Sequence, residues 1–237
     1  NSKAVIISGF IVFIIVLKFA FDTMMGIGVV EGYHPNQPIE FSHKIHAGDN
    51  GIDCNYCHSS ARISKTAGVP SVNVCMNCHT EIKTGTNTGT KEIQKIYDAV
   101  GFNPDSNKYI TDYEQKPIEW IRVHNLPDLT YFNHSQHVTV GGLECQQCHG
   151  DMKEKTVGQV AYHEELNKIQ KNIDEGIKFK HPTLTMGWCI DCHRQKEVNM
   201  QGNDYYTEMH EQMKEKYGDR KFTVKDIGGL ECGKCHY

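Results

Sequence analysis

The chain has 237 residues, 38 % of them apolar, and a formal net charge of −4. That composition excludes a multi-span membrane protein and argues against a nucleic-acid binder. Ten cysteines and fourteen histidines are abnormal for a chain of this size unless it holds a metal or cofactor.

The first element is apolar. Residues 4–17 read AVIISGFIVFIIVL, and Lys18 follows. Continued through Phe21 or a little further, a helix here is long enough to span a bilayer, with Lys18 snorkelling. A cleaved signal peptide is the alternative, but the run is long for one and no small-x-small site follows it. Residues 1–30 are therefore expected to form a transmembrane signal anchor, and residues 31–237 a single extramembrane domain. Pro35 and Pro38 mark 31–42 as an extended linker between them.

Residues 41–58 read FSHKIHAGDNGIDCNYCH. They introduce a pattern that recurs through the chain: two cysteines separated by two residues, then histidine. The five instances are Cys54/Cys57/His58, Cys75/Cys78/His79, Cys145/Cys148/His149, Cys189/Cys192/His193 and Cys232/Cys235/His236. No cysteine is left over. Zinc ribbons also use C-x-x-C but need no histidine directly after it. With histidine at about 6 % of residues, five such neighbours would arise by chance about once in a million. Two thiols one short turn apart can add to the two vinyl groups of a haem, and the next residue brings an imidazole under the ring. Five motifs imply five covalently bound haem c groups. Their assembly takes place on the outer side of a bacterial inner membrane, so the domain is expected in the periplasm. The haems would supply much of the apolar core, leaving a mostly irregular fold with short α-helices.

Residues 91–100 carry Ile93, Ile96, Tyr97 and Val100 at helical spacing, ended by Gly101, which predicts a helix. Residues 101–118 read as a polar surface loop. Residues 132–149, FNHSQHVTVGGLECQQCH, repeat 41–58 at an offset of 91. A looser match joins 69–80 to 181–194, so the domain reads as two pseudo-repeated di-haem halves plus a fifth haem. A second helix is expected over about 160–175, with Leu166, Ile169 and Ile173, and a third over 205–217, with Tyr206, Met209, Met213 and Tyr217.

The repeat singles out His43/His46 and His134/His137 as the second axial ligands of four irons. Residues three apart on a helical turn share a face, so the two imidazoles of each pair reach two different irons. His124 in RVHNLPD and Met186 in TMGW are the two candidates for the fifth distal ligand; a Met thioether would raise that haem's potential. Saturated irons suit electron transfer, and no catalytic residue is expected.

QPIEFSHKIHAG, CMNCH, RVHNLPD, YFNHSQHV, CQQCHG and LTMGWCIDCHR together resemble the pentahaem cytochrome c subunit of bacterial alternative complex III, over nearly the whole chain. The resemblance implies a respiratory-chain subunit held in the inner membrane by one helix. Its partners would be iron–sulfur and polytopic quinol-binding subunits, from which electrons pass to a monohaem cytochrome c or a haem–copper oxidase. Two other readings differ in class. A stand-alone quinol dehydrogenase feeding a periplasmic reductase shares the single anchor. A pentahaem nitrite reductase needs an open iron, usually marked by C-x-x-C-K, and all five motifs here end in histidine.

Overall fold

A computed structural model describes residues 2–198 and 204–237. Helix α1 (Ser2–Met25) forms from an apolar run without proline. At 1.5 Å per residue its 24 residues extend about 36 Å, enough to cross a hydrocarbon core of about 30 Å. None of it is buried against the rest of the chain. Lys18 Nζ lies 2.5 Å from an Asp22 carboxylate oxygen one turn on, so the basic residue in the second half of the span is paired. Length and composition of this kind suit a membrane anchor or a signal sequence alike.

The rest of the chain is short helices and loops. Four of the motifs fold as single helical turns: α2 (Cys54–Cys57), the C-terminal half of α3 (Val72–His79), α5 (Cys145–His149) and part of α8 (Met186–Gln195). Asp53 and Thr185 cap two of them, accepting hydrogen bonds from Asn55 N and Trp188 N. The last motif forms a 3₁₀ turn, Cys232–Lys234.

Two hydrophobic clusters flank the motifs. The first joins Ile39, Met76, Ile93, Ile96, Tyr97, Val100 and Phe102, with Cys75 packed against it. Its main contributor is α4 (Lys91–Val100), the helix the sequence predicts, whose apolar stripe is buried. Gly101 closes α4 in the left-handed region at φ 70°, and a Cβ there would meet the Tyr113 ring at 2.2 Å, so the stop requires glycine. The Tyr97 hydroxyl donates to His79 O at 2.6 Å, tying α4 to the second motif. The second cluster joins Ala161, Leu166, Ile177, Phe179 and Trp188, with Cys148, Cys189 and Cys192 at its edge.

Three regions differ from the sequence reading. Residues 160–175 are not one helix but α6 (His163–Leu166) and α7 (Gln170–Asp174). Ile169 between them is extended at ψ 122°. Asn167 breaks the run, because its side-chain amide donates to Phe179 O and its carbonyl accepts from Phe179 N. Segment 31–42 is not a free linker. Gly32 N donates to Val160 O, and Val160 N to Tyr33 O, as in a short ladder. Ile39 is buried in the first cluster. Segment 101–118 contains the antiparallel pair β1 (Phe102–Asn103) and β2 (Lys108–Tyr109), with Phe102 in the core. The expected third helix is present as α9 (Asp204–Tyr217). The Tyr206 side chain of its expected stripe lies outside the described residues.

Candidate haem-binding site

The site is built from histidine rings that face one another in pairs. The His43 and His58 ring centres are 6.5 Å apart with planes 11° from parallel, and His134 and His149 are 6.4 Å apart at 3°. His46 stands 6.2 Å from His79, and His137 stands 6.2 Å from His193. An imidazole nitrogen binds a first-row metal at about 2 Å, and the ring centre lies about 1.1 Å further back. Two imidazoles on opposite faces of one iron therefore have centres about 6.2 Å apart, the spacing seen four times.

The second nitrogen of each ring shows which atom is free for a metal. Nδ1 of His43, His46, His58, His79, His134, His137 and His193 lies 2.7–2.9 Å from a backbone carbonyl oxygen, of Thr156, Ser42, Gly68, Ile82, Lys65, Asn133 and Gly229 respectively. A carbonyl only accepts, so Nδ1 carries the proton and Nε2 keeps its lone pair. This is how a metal-bound imidazole is oriented. His149 differs: its Nδ1 lies 3.2 Å from His124 Nε2.

Local backbone explains why the pairs sit where they do. Both distal pairs lie at the start of a π-helical turn, Lys44–Asp49 and Gln136–Val140. Phe41 stacks on His46 at 4.3 Å and meets His43 edge-on at 5.0 Å. Phe132 repeats both contacts with His137 and His134, at 4.3 and 4.9 Å. The two turns are docked crosswise. His43 N donates to Thr156 O and Lys44 N to Lys155 O, after the third motif. His134 N donates to Lys65 O and Ser135 N to Ser64 O, after the first. Adding 91 to each member of the second set's acceptors gives the first set's acceptors, so these bonds follow the sequence offset. Gly48 is required by this docking, since a Cβ there would lie 2.4 Å from Lys153 O.

Burial keeps the site neutral. It pushes His43 and His137 below the ordinary histidine range, His124 to about 4 and His149 to about 3. The neutral ring is the ligating form. Burial likewise pushes the Cys148 and Cys192 thiols up to about 12 and Cys189 to about 11. Among the described residues, the group of three donor atoms lying within 4.8 Å of one another is Glu31, His163 and Glu164, which includes no cysteine.

The cysteines also reveal how the motifs adjoin. Cys57 lies beside Cys78 and Cys75. Cys145 neighbours Cys54. Cys148 neighbours Cys192 and Cys189, and Cys189 neighbours Cys235. Each motif therefore neighbours the next in the order second, first, third, fourth, fifth.

The fifth motif is built differently. Tyr131 N donates to Cys235 O at 2.7 Å, and Thr130 bridges His236. His236 Nδ1 is buried with no hydrogen-bond partner among the described residues. Of the two side chains expected as its distal ligand, Met186 is 67 % exposed on the first turn of α8, and His124 points Nε2 at His149. Sequence reasoning could not have found the carbonyl partners of the rings, which carry no side-chain signal. The partnership of His124 with His149 had no signal either.

Residues 50–237 match the family described as outer membrane cytochrome MtrC/MtrF-like, domains II/IV. The chain is also 27 % identical over 168 residues to the multihaem cytochrome c subunit of menaquinone reductase from Nitratidesulfovibrio vulgaris, covering 66 % of this chain and 67 % of the relative. With its cysteine motifs and paired imidazoles in place, the chain belongs to the MtrC/MtrF-like family of multihaem cytochromes c.

Proposed function

We propose that this chain is a membrane-anchored electron-transfer subunit that carries five haem c groups on the periplasmic side of a bacterial inner membrane. The observation that carries this reading is the set of four imidazole pairs at iron-bridging spacing, each ring held with Nε2 free. Haem c, when bound, supplies reversible one-electron chemistry at iron. The chain's own residues do the rest. Paired cysteines would hold each group covalently; His58, His79, His149 and His193 would ligate four of them together with the facing rings of His43, His46, His134 and His137, and His236 would ligate the fifth. Irons held by two imidazoles would have no place for substrate and would suit outer-sphere transfer.

The adjacency of the motifs gives the path a direction in space: second, first, third, fourth, fifth. The two ends, at Cys75/Cys78 and Cys232/Cys235, are the ports for donor and acceptor. The reading places the chain in a complex of the alternative complex III type, with iron–sulfur and polytopic quinol-binding partners. Electrons would leave towards a cytochrome c or a haem–copper oxidase. The menaquinone reductase relative favours a second reading, in which the same wire runs the other way, from a periplasmic donor to menaquinone. The match to an extended family of multihaem cytochromes fits either direction.

The test is mild detergent extraction followed by identification of the co-purifying subunits and reduction of the purified complex with menaquinol. Iron–sulfur and polytopic partners, with haem reduction by menaquinol and onward transfer to cytochrome c, are expected. Haem reduction only by a periplasmic donor, with menaquinone as acceptor, selects the second reading. A chain that purifies alone and turns over quinol by itself overturns both.

A further inference from the structure

Seven of the eight paired imidazoles lean on a backbone carbonyl, and one leans on another imidazole. His149 Nδ1 lies 3.2 Å from His124 Nε2, with ring centres 4.5 Å apart and planes at 84°, so the two rings meet edge-on. His124 is held for this contact. Its carbonyl accepts from Arg122 Nε at 3.1 Å, and the neighbouring Val123 packs 3.7 Å from the position a Gly158 Cβ would take.

The chemistry of that contact differs from the other seven. With His149 Nε2 committed to a metal, its Nδ1 must carry the proton and donate it. His124 Nε2 must then accept, so His124 is the neutral ring with its own proton on Nδ1. An imidazole nitrogen is a stronger proton acceptor than an amide oxygen. The His149 ring is therefore more basic and more electron-donating than His58, whose Nδ1 donates to Gly68 O at 2.7 Å in the corresponding place. A more strongly donating axial ligand favours the ferric state.

We propose that His124 is a positioning residue: it fixes the tautomer of His149 and lowers the reduction potential of the third-motif haem below that of the first-motif haem, rather than ligating iron itself. This rests on the assignment of His149 and His134 as one axial pair. The middle member of the five-haem path then becomes more resistant to reduction than the first-motif haem beside it, and the sixth position at His236 falls to a side chain other than His124.

The test uses the full-length holoprotein and three forms: wild type, His124→Ala and His124→Gln. Covalent haem content is read by denatured mass, spin state by ferric electron paramagnetic resonance, and midpoints by spectroscopic redox titration. All three forms are expected to keep five haems and an unchanged low-spin count. In His124→Ala one haem's ferric–ferrous balance shifts at least about threefold towards ferrous, about 28 mV at 59 mV per tenfold change. His124→Gln, which offers an amide oxygen like the other seven partners, shifts the same haem by less. The shifting haem is identified as the one that turns high-spin in His134→Ala. A new high-spin iron in His124→Ala makes His124 a ligand and overturns the proposal. Five haems with unchanged midpoints in both variants reduces His124 to packing and overturns it too. A wild type lacking the third-motif haem, or with that haem high-spin, removes the underlying axial assignment itself.

Discussion

Residues 41–58 and 132–149 are two solutions to one problem, and they agree in almost every atom that matters. Each places a phenylalanine against a histidine pair, opens a π-helical turn after it, and docks that turn on the loop behind the other segment's cysteine motif. They part at the imidazole that follows the second cysteine. His58 is braced by the Gly68 carbonyl, His149 by His124. The scaffold that holds two rings 6.4–6.5 Å apart is thus common, while the group behind one ring is free to vary. Geometry and tuning are carried by different residues.

The surest way to break the comparison is to remove the attachment on one side. Cys54→Ser with Cys57→Ser, and Cys145→Ser with Cys148→Ser, should each cost one haem by denatured mass. The second pair should also destabilise the fold more, because Cys148 packs on the Leu166–Trp188 cluster and Cys54 and Cys57 belong to neither cluster. Equal stability of the two double variants would argue that the haems, not the cysteines' packing, carry all of the support.

Next come the distal rings. His43→Ala and His134→Ala should each turn one low-spin iron high-spin and leave the others alone, since the opposing ring keeps its own carbonyl or imidazole brace. His46→Ala and His137→Ala should do the same at the second and fourth motifs. A variant that keeps every iron low-spin would show that its ring is no ligand.

The supports beneath the two segments differ more than the segments do. On one side α4 is a continuous helix; on the other α6 and α7 are interrupted at Asn167. Leu166 is fully buried, so Leu166→Ala should cost about 2–5 kcal/mol in denaturant unfolding. Ile173 is 53 % exposed, so Ile173→Ala should stay within about 0.5 kcal/mol. Similar costs for both would restore a single amphipathic helix.

The smallest effect concerns a carboxylate tie in the second half. Glu31 accepts from His163 N, His163 Nδ1 and Thr183 N. Burial raises its pKa, but these hydrogen bonds outweigh that and hold it below its usual value of 4.5. A carboxylate with a depressed folded-state pKa adds stability above its unfolded value, and that stability fades as pH falls through the folded one. Wild type should therefore lose a small increment of stability below about pH 4.5 that Glu31→Gln lacks at every pH. Parallel acid profiles for the two would deny the tie any weight.

How much of this was legible in the sequence follows from where each signal resides. The five motifs and both histidine pairs are side-chain patterns; the structure sets the histidines of four motifs, His58, His79, His149 and His193, opposite the paired rings. Helix α4 was legible because its stripe and its Gly101 stop agree. The break at Asn167 was not, because it depends on Phe179, twelve residues away, overriding a helical period. The packed course of 31–42 was hidden because Pro35 and Pro38 read as linker, while the bonds of Gly32 and Tyr33 with Val160 are backbone pairings that carry no side-chain signal. His124 was legible as a histidine of interest, yet its role depends on the ring it faces, which spacing along the chain does not reveal.

The most direct test of the account is a ferric spin count on the full-length holoprotein, paired with its denatured mass. The account predicts five covalently held haems per chain, at least four of them low-spin with two imidazole ligands. Two or more high-spin irons, or bound zinc in place of haem, would contradict it.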